Sequence, residues 1–223
     1  MAKSFAWSWS RLKNYRTCPK RHYHVDLAKD VKEEESEQLK WGNQLHDAMA
    51  KKIGGGIALP KSMPAKVADQ ARQLVEAGAN IKVELKLAMD KEFQPTPWFG
   101  ATTWFRGIVD VLGLNQEYAV AIDWKTGGKI EPDMEQLALN AQLIFAFEDV
   151  KTVHTAYYWT QHGEETVRSY TRDDMRPLWT KLLPEVAKME QAAIDMNYPP
   201  TPSGLCKRYC PVRQCQYWGK GSR

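Results

Sequence analysis

The sequence predicts an α/β protein built around a mixed β-sheet, and two observations lead to this class. The first is that apolar residues recur with helical spacing in some segments and alternate in others. The second is the order of these segments along the chain, which is helices, strand, hairpin, helix, hairpin, helix. The chain has 223 residues, of which 43% are hydrophobic and 26% charged, as in an ordinary globular protein. This length is short for two domains, so we expect a single domain over residues 1–223.

The helices are bounded by prolines, glycines and changes of periodicity. They are expected over residues 4–29 with an interruption at Pro19, and over 38–53, 65–78, 134–147 and 172–196. Three glycines at 54–56, followed by Pro60 and Pro64, separate the second helix from the third. No run of 18 apolar residues occurs and the N-terminus lacks the apolar core of a secretory signal, so we expect a cytoplasmic protein without a membrane partner.

The strands are segments of alternating polarity that are rich in β-branched and aromatic residues. They are expected over 81–89, 103–114 and 118–125, with a further hairpin whose turn lies at 162–164. The second and third of these strands are joined by a short polar turn centred on Gln116 and Glu117, so they form an antiparallel hairpin.

This hairpin carries the most informative charged residues of the chain. Asp123 and Lys125 are two apart on a strand and therefore leave the same face. A turn centred on 116–117 places residues whose numbers sum to 233 opposite each other, so Asp110 faces Asp123 with Cβ atoms about 5 Å apart. Two carboxylates at that distance favour a divalent cation between them, with Lys125 as a second positive charge. The alternative is an Asp–Lys ion pair on a solvated sheet face, with the other aspartate in solvent.

The segments GIVDVL and AIDWKTG resemble the paired G-x-x-D and (D/E)-x-K motifs of RecB-like nucleases in the PD-(D/E)XK superfamily. The segment WGNQLHDAM resembles the upstream G-x-x-x-H motif of that family, with Gly42 and His46 on one helix face. The family's Q-x-x-x-Y motif corresponds to Gln136 and Asn140, where asparagine replaces the tyrosine. Glu84 lies where the fold has an acidic residue on an early strand, either near the metal or simply exposed.

The resemblance implies a restriction-endonuclease-like core, a mixed sheet flanked by helices, that hydrolyses DNA with Mg²⁺ or Mn²⁺. The implied catalytic residues are Asp110, Asp123, Lys125 and Gln136, and the implied metal ligands are His46, Asp110, Asp123 and the Trp124 carbonyl. Phosphate-loop ATPases carry a G-x-x-x-x-G-K-[ST] motif, which this chain lacks, so any helicase would be a separate partner.

The four cysteines of the chain lie near its ends, and their spacing is typical of metal ligands. They are Cys18, Cys206, Cys210 and Cys215. A cytoplasmic compartment would reduce disulfides, so three cysteines within ten residues favour a metal or cluster site. The segments SWSRLKNYRTCPKRHYH and GLCKRYCPVRQCQYW resemble the iron–sulfur branch of the same family, which includes AddB-type and CRISPR-associated RecB-like exonucleases. That resemblance implies a 4Fe–4S cluster, with tetrahedral zinc as the rival, in a cap formed by about 1–30 and 198–223 that joins the two ends.

Charge is distributed unevenly along the chain, whose net charge is +4. Residues 1–24 and 205–223 contain 11 of the 31 cations and none of the 27 acids, which leaves −7 for the middle. Basic ends on an acidic body suggest a localised contact with DNA, although solvated termini are an equal alternative. Aromatic residues lie among these cations and could stack on unpaired bases: Trp7, Trp9, Tyr15, Tyr209, Tyr217 and Trp218.

The sequence therefore predicts a metal-dependent deoxyribonuclease, an exonuclease that acts on single-stranded DNA or duplex ends. Recombination, repair or CRISPR adaptation in a phage or bacterium would suit a stand-alone enzyme of this size. Two alternatives remain open at this stage. One is a non-catalytic DNA-binding or assembly subunit, and the other is an iron–sulfur redox sensor, which would not need the Asp-x-Lys strand.

Overall fold

The computed structural model describes residues 5–33, 36–76 and 80–220. Three parts of the sequence predictions lie outside these residues: the first residue of the helix expected over 4–29, the last two of the helix expected over 65–78, and the terminal cations Lys3 and Arg223. No helix within the described ranges combines the length and the apolarity that crossing a membrane requires.

The structure contains six α-helices and six strands in the described residues. In chain order they are β1 (Trp7–Ser8), α1 (Trp9–Thr17), α2 (Pro19–His22), α3 (Glu37–Gly55), α4 (Ala65–Glu76), β2 (Asn80–Met89), β3 (Phe105–Leu114), β4 (Tyr118–Lys125), α5 (Met134–Phe147), β5 (Thr152–Trp159), β6 (Glu164–Tyr170) and α6 (Met175–Asp195). A π-helical turn, Tyr23–Ala28, follows α2, and 3₁₀ turns lie at Arg172–Asp174 and Gly204–Lys207.

The N-terminal helical segment is divided more finely than the sequence indicates. The Ser8 side chain caps α1 by accepting from the Arg11 N–H, and α1 ends at Thr17. Pro19 then occupies the first turn of α2, where its missing N–H costs nothing. The final helix begins at Met175, after the 3₁₀ turn, and not at residue 172.

The chain divides into two compact units, one formed by Met1–Glu35 with Thr180–Arg223 and the other by Ser36–Trp179. In the second unit, β2 to β6 are hydrogen-bonded in sequence order. The pairs β2–β3, β3–β4 and β5–β6 are antiparallel, whereas β4–β5 is parallel. The predicted mixed sheet is confirmed.

Helices cover both faces of this sheet in the second unit. Leu45 and Met49 of α3 pack with Val111, Trp124 and Tyr158 in a buried cluster on one face. Leu137 of α5 packs with Tyr157 and Trp159, which alternate with Tyr158 and therefore lie on the other face. The site residues of the hairpin thus lie in a sheet with α3 on one side and α5 on the other.

The register of the β3–β4 hairpin agrees with the turn expected at residues 116–117. The paired positions run from Leu114 opposite Ala119 to Val111 opposite Ile122. The Asn115 side chain closes the turn by accepting from the backbone N–H groups of Glu117 and Tyr118. Every pair sums to 233, so the next positions along the two strands are Asp110 and Asp123.

Candidate active site

The two hairpin aspartates lie where β3 and β4 separate. The ladder ends at Val111 and Ile122, one residue before the aspartates. One carboxylate oxygen of Asp110 accepts a hydrogen bond from the Trp124 backbone N–H at 2.9 Å, in place of the missing strand pairing. Each aspartate is only 7% exposed. Neither carboxylate therefore projects into solvent, as the alternative interpretation of this hairpin required for one of them.

Lys125 and Gln136 contact the Asp123 carboxylate on both of its oxygens. The Lys125 ammonium lies 2.6 Å from Oδ1 of Asp123, and the Gln136 amide donates to Oδ2 at 2.7 Å. The Gln136 carbonyl oxygen in turn accepts from the Lys125 ammonium at 3.2 Å. These three side chains form a closed ring of polar contacts. The structure therefore brings together three of the four predicted catalytic residues, namely Asp123, Lys125 and Gln136.

Tyr157 completes this ring and was not found from the sequence. Its hydroxyl lies 3.0 Å from the Gln136 carbonyl oxygen and 2.8 Å from the Asp133 backbone oxygen. Its ring lies under the Lys125 ammonium, 4.5 Å from the centroid, which is cation–π geometry. Tyr157 is opposite Asp123 in the parallel β4–β5 register. The only signal for it is that pairing, which no local pattern reveals.

A second group of acidic and imidazole side chains lies on the other side of Asp110. His46, Glu84 and Asp110 each offer a ligand atom, and these atoms lie within 4.8 Å of one another; no other His, Cys, Asp or Glu set in the described part of the chain does so. His46 Nδ1 is 3.3 Å from Asp110, and its Nε2 is 3.2 Å from the Trp124 carbonyl oxygen. Nitrogen and carboxylate oxygens in this arrangement suit a divalent cation.

The backbone of Glu84 is strained where it faces this group. Its φ is +48°, in the left-handed region that non-glycine residues rarely adopt. The flanking pairs, Val83 with Val111 and Leu85 with Val109, keep the strand in register, so Glu84 lies opposite Asp110. Such strain costs about 1–3 kcal/mol and is concentrated at functional sites. Glu84 was not in the predicted ligand set, and the strand pattern alone does not distinguish it from a solvated glutamate.

Burial and neighbouring charges shift the titration of this site. Burial raises the pKa of Asp123 to about 6, against the opposing effect of Lys125. Burial alone would lower the pKa of His46, but the carboxylates around it, chiefly Asp110, outweigh this and raise it. Burial and the Asp110 charge also raise the pKa of Glu84. The site therefore concentrates negative charge in a desolvated place, which a bound cation would relieve.

The two motif glycines lie where another segment comes close. A Cβ on Gly107 would lie 2.5 Å from Leu143 of α5, and one on Gly42 would lie 3.2 Å from the Thr126 hydroxyl. Asn140, which stands where the family has tyrosine, is buried on α5. Its side-chain oxygen would lie 3.9 Å from the same added Cβ on Gly107, so Asn140 packs against the sheet.

The first unit contains the four cysteines. All four line one cavity of about 330 Å³, together with the basic residues Lys13, Lys20 and Arg21. Burial, together with the nearby Cys206 and Cys18, raises the pKa of the Cys210 thiol. Backbone N–H groups of Thr201 and Ser203 donate to two of the sulfurs at 3.4 Å. Cations and N–H donors around thiols would stabilise thiolates or a negatively charged cluster.

The aromatic residues of the basic ends are divided by burial. Trp7 and Trp9 are buried, which is packing and removes them as stacking surfaces for DNA bases. Tyr209 and Trp218 are exposed, although the Trp218 indole donates to the Cys210 carbonyl oxygen and so packs within its own segment.

A family model described as the PD-(D/E)XK nuclease superfamily matches residues 6–215. No curated protein sequence matches the chain. Among solved structures, the protein SSO0001 aligns with a TM-score of 0.41 and 13% identity, covering 98% of this chain and 89% of its own. An alkaline exonuclease, LHK-Exo from Laribacter hongkongensis, aligns with a TM-score of 0.38 and 13% identity over 87% of this chain and 93% of its own. Its complex with dAMP aligns with a TM-score of 0.38 and 14% identity, over 86% and 91% of the respective chains.

Proposed function

Because the chain belongs to the PD-(D/E)XK nuclease superfamily, we propose that it is a DNA exonuclease dependent on Mg²⁺ or Mn²⁺. The observation that carries this proposal is the pair of buried aspartates at the separating ends of β3 and β4, with Lys125 beside one and His46 beside the other. Two buried carboxylates are costly without a compensating cation, and the single lysine compensates only one of them.

The ligands that fit a divalent cation lie on four elements. We propose His46 from α3, Asp110 from β3, and Asp123 with the Trp124 carbonyl from β4, and we add Glu84 because it lies within the same group. These residues would hold the cation, which would supply a Lewis acid for a phosphate oxygen and would lower the pKa of a bound water molecule.

The remaining side chains act on the nucleophile and the phosphate. Lys125 places a positive charge 2.6 Å from Asp123, where it can donate to a phosphate oxygen or orient the attacking water. Gln136 holds this lysine and the carboxylate in one geometry by contacting both. Gln136 thus acts through its neighbours, and its own position is fixed by the Tyr157 hydroxyl.

An assay on two forms of one DNA tests both parts of this proposal. We expect release of mononucleotides or short fragments from end-labelled linear DNA with Mg²⁺ or Mn²⁺, and none with a chelator. Covalently closed circles should persist under the same conditions. Cutting of circles would overturn the exonuclease assignment but not the nuclease, whereas inactivity on both forms would favour a non-catalytic DNA-binding subunit.

We further propose that the four cysteines hold a 4Fe–4S cluster. Four thiols line one cavity whose volume, about 330 Å³, is roughly ten times the share of one water molecule. A cavity of this size has room for a group larger than one metal ion, and the four thiols would supply its ligands. Protein purified without air should contain about four irons, whereas one zinc per chain would refute the cluster.

DNA is the partner that this function requires. The biological setting that suits it is recombination, repair or CRISPR adaptation in a phage or bacterium, with any helicase supplied by a separate protein. Incubating the chain with candidate helicases and comparing degradation of blunt duplex with that of single strands tests for such a partner.

A further inference from the structure

The loop between β2 and β3 presents two aromatic side chains at its tip. The Gly100 N–H donates to the Pro97 carbonyl oxygen at 3.0 Å, so these residues bound a β-turn with Trp98 and Phe99 at its central positions. Phe99 is 83% exposed, more than any other large hydrophobic side chain in the described residues. Scattered exposed hydrophobics are common, so its meaning depends on how the loop is built and on what surrounds it.

The loop is held by hydrogen bonds at its base. The Thr103 hydroxyl donates to the Pro97 carbonyl oxygen at 2.8 Å and lies 3.0 Å from the Thr96 hydroxyl. Thr103 is buried, and the Trp104 N–H donates to the Met89 carbonyl oxygen at 2.9 Å. The backbone of the tip is therefore held in place, with Phe99 exposed and Trp98 half-buried.

An arginine lies against both rings. The Arg106 guanidinium carbon is 5.7 Å from the centroid of Trp98 and 5.2 Å from that of Phe99, within the range of cation–π contacts. We call Trp98, Phe99 and Arg106 the aromatic–arginine platform. The two rings stand nearly perpendicular, at 81° with their centroids 6.5 Å apart, so each ring offers its own π face. An aromatic face beside a positive charge is the chemistry that binds a nucleobase together with its phosphate.

The platform and the metal group lie on the same pair of strands. Arg106 and Asp110 both belong to β3, and Glu84 lies opposite Asp110 on the neighbouring strand β2. Arg106 is four strand residues from Asp110, which corresponds to about 13 Å.

Two residues that lie between the platform and the metal group along the β2–β3 ladder are exposed. Ile108 is 41% exposed, and its partner across the β2–β3 ladder is Lys86, which is also exposed. An exposed apolar side chain and an exposed cation therefore lie between Asp110 and the platform. An apolar surface flanked by positive charges fits the bases and phosphates of one strand better than it fits a duplex.

We propose that the aromatic–arginine platform binds unpaired bases of a single DNA strand next to the phosphate being cut, an inference that rests on the proposed nuclease function. Stacking on Trp98 and Phe99 holds the bases, and Arg106 and Lys86 contact the phosphates. Because stacking depends on a π face and not on base identity, the site accepts any sequence. Blunt duplex ends would have to unpair in order to use it.

Binding of two labelled oligonucleotides tests the platform without requiring hydrolysis. Fluorescence anisotropy in a chelator compares oligothymidylate with an abasic strand of equal length, which keeps the phosphates but has no bases. Phe99→Ala and Trp98→Ala should each weaken oligothymidylate binding about fivefold or more, since one stacked base contributes about 1–3 kcal/mol. Neither substitution should change binding of the abasic strand. Tyr118→Ala is the matched control, because Tyr118 is an exposed aromatic, 43% accessible, at the opposite end of β3 and β4.

The outcomes separate the platform from the nuclease. Unchanged oligothymidylate binding in both variants, an equal loss on the abasic strand, or no binding by the wild-type protein overturns the platform. If the wild-type protein hydrolyses DNA while the variants bind normally, the platform alone is wrong. If binding depends on Phe99 but no metal restores hydrolysis, the platform stands and the proposed activity is wrong.

Discussion

Replacing Asp123 by asparagine should abolish hydrolysis and, at neutral pH without divalent cation, stabilise the fold. Burial raises the pKa of Asp123 from 3.8 to about 6, so the folded protein resists ionisation of this group more than the unfolded chain does. Each pKa unit corresponds to about 1.36 kcal/mol, which makes the cost of the ionised carboxylate at pH 7.5 at most about 3 kcal/mol. Asparagine keeps the shape and removes the charge.

The sign of this effect fixes its pH dependence. For an acid whose pKa is raised by folding, stability is highest when the group is protonated and falls as the pH rises from about 3.8 to about 6. We therefore expect Asp123→Asn to gain about 1–3 kcal/mol in unfolding free energy at pH 7.5 and almost nothing at pH 4. In a chain of 223 residues, each kcal/mol raises the melting temperature by about 2–4 °C.

Urea unfolding followed by circular dichroism at the two pH values, in a chelator, measures this difference. Asp149→Asn is the matched control, because Asp149 is fully exposed and the same change of charge there should alter stability by less than about 0.5 kcal/mol. Adding Mg²⁺ should stabilise the wild-type protein more than the variant, since the variant lacks one ligand. A variant that is equally destabilised at pH 4 and pH 7.5 would refute the reasoning that buried negative charge strains this site.

Three further predictions concern other parts of the molecule. Tyr157→Phe keeps the ring under Lys125 but removes the hydroxyl that fixes Gln136. Steady-state kinetics should show kcat reduced about fivefold with KM nearly unchanged, as for the loss of one hydrogen bond. A change confined to KM would contradict this positioning role. Replacing Arg208 and Arg213 by alanine should weaken binding to all DNA sequences alike, provided that cluster content is unchanged. The slope of log binding constant against log salt concentration should become shallower by about one unit per lost phosphate contact. An unchanged slope in a salt titration would place the DNA path elsewhere. Cys206→Ala should lower the melting temperature and the iron content together, because metal binding contributes to folding. A normal melting temperature in iron-free protein would show that the cluster does not stabilise the fold.

The sequence alone determined the central strands and the register of their hairpin. Alternation of apolar residues placed β3 and β4, and the symmetric turn at Gln116 and Glu117 fixed which residues face each other, because a strand pairing has a period of two and no freedom to slip by one. Because paired residue numbers in this hairpin sum to 233, Asp110 and Asp123 face each other across it. The assignment of individual ligands and catalytic roles remains a prediction, which the activity and binding measurements above address.

Only the tertiary structure decided which distant residues surround those aspartates. Tyr157 reaches Gln136 because β4 and β5 pair in parallel across a helical connection, and nothing local in the sequence sets that register. The sequence left Glu84 either near the metal or simply exposed, and its position opposite Asp110, within reach of His46, is seen only in the tertiary structure. From the sequence the aromatic loop likewise reads as a turn, and the contact of Arg106 with both of its rings is seen only in the tertiary structure. Contacts between segments far apart in sequence depend on packing, which periodicity along one segment cannot encode.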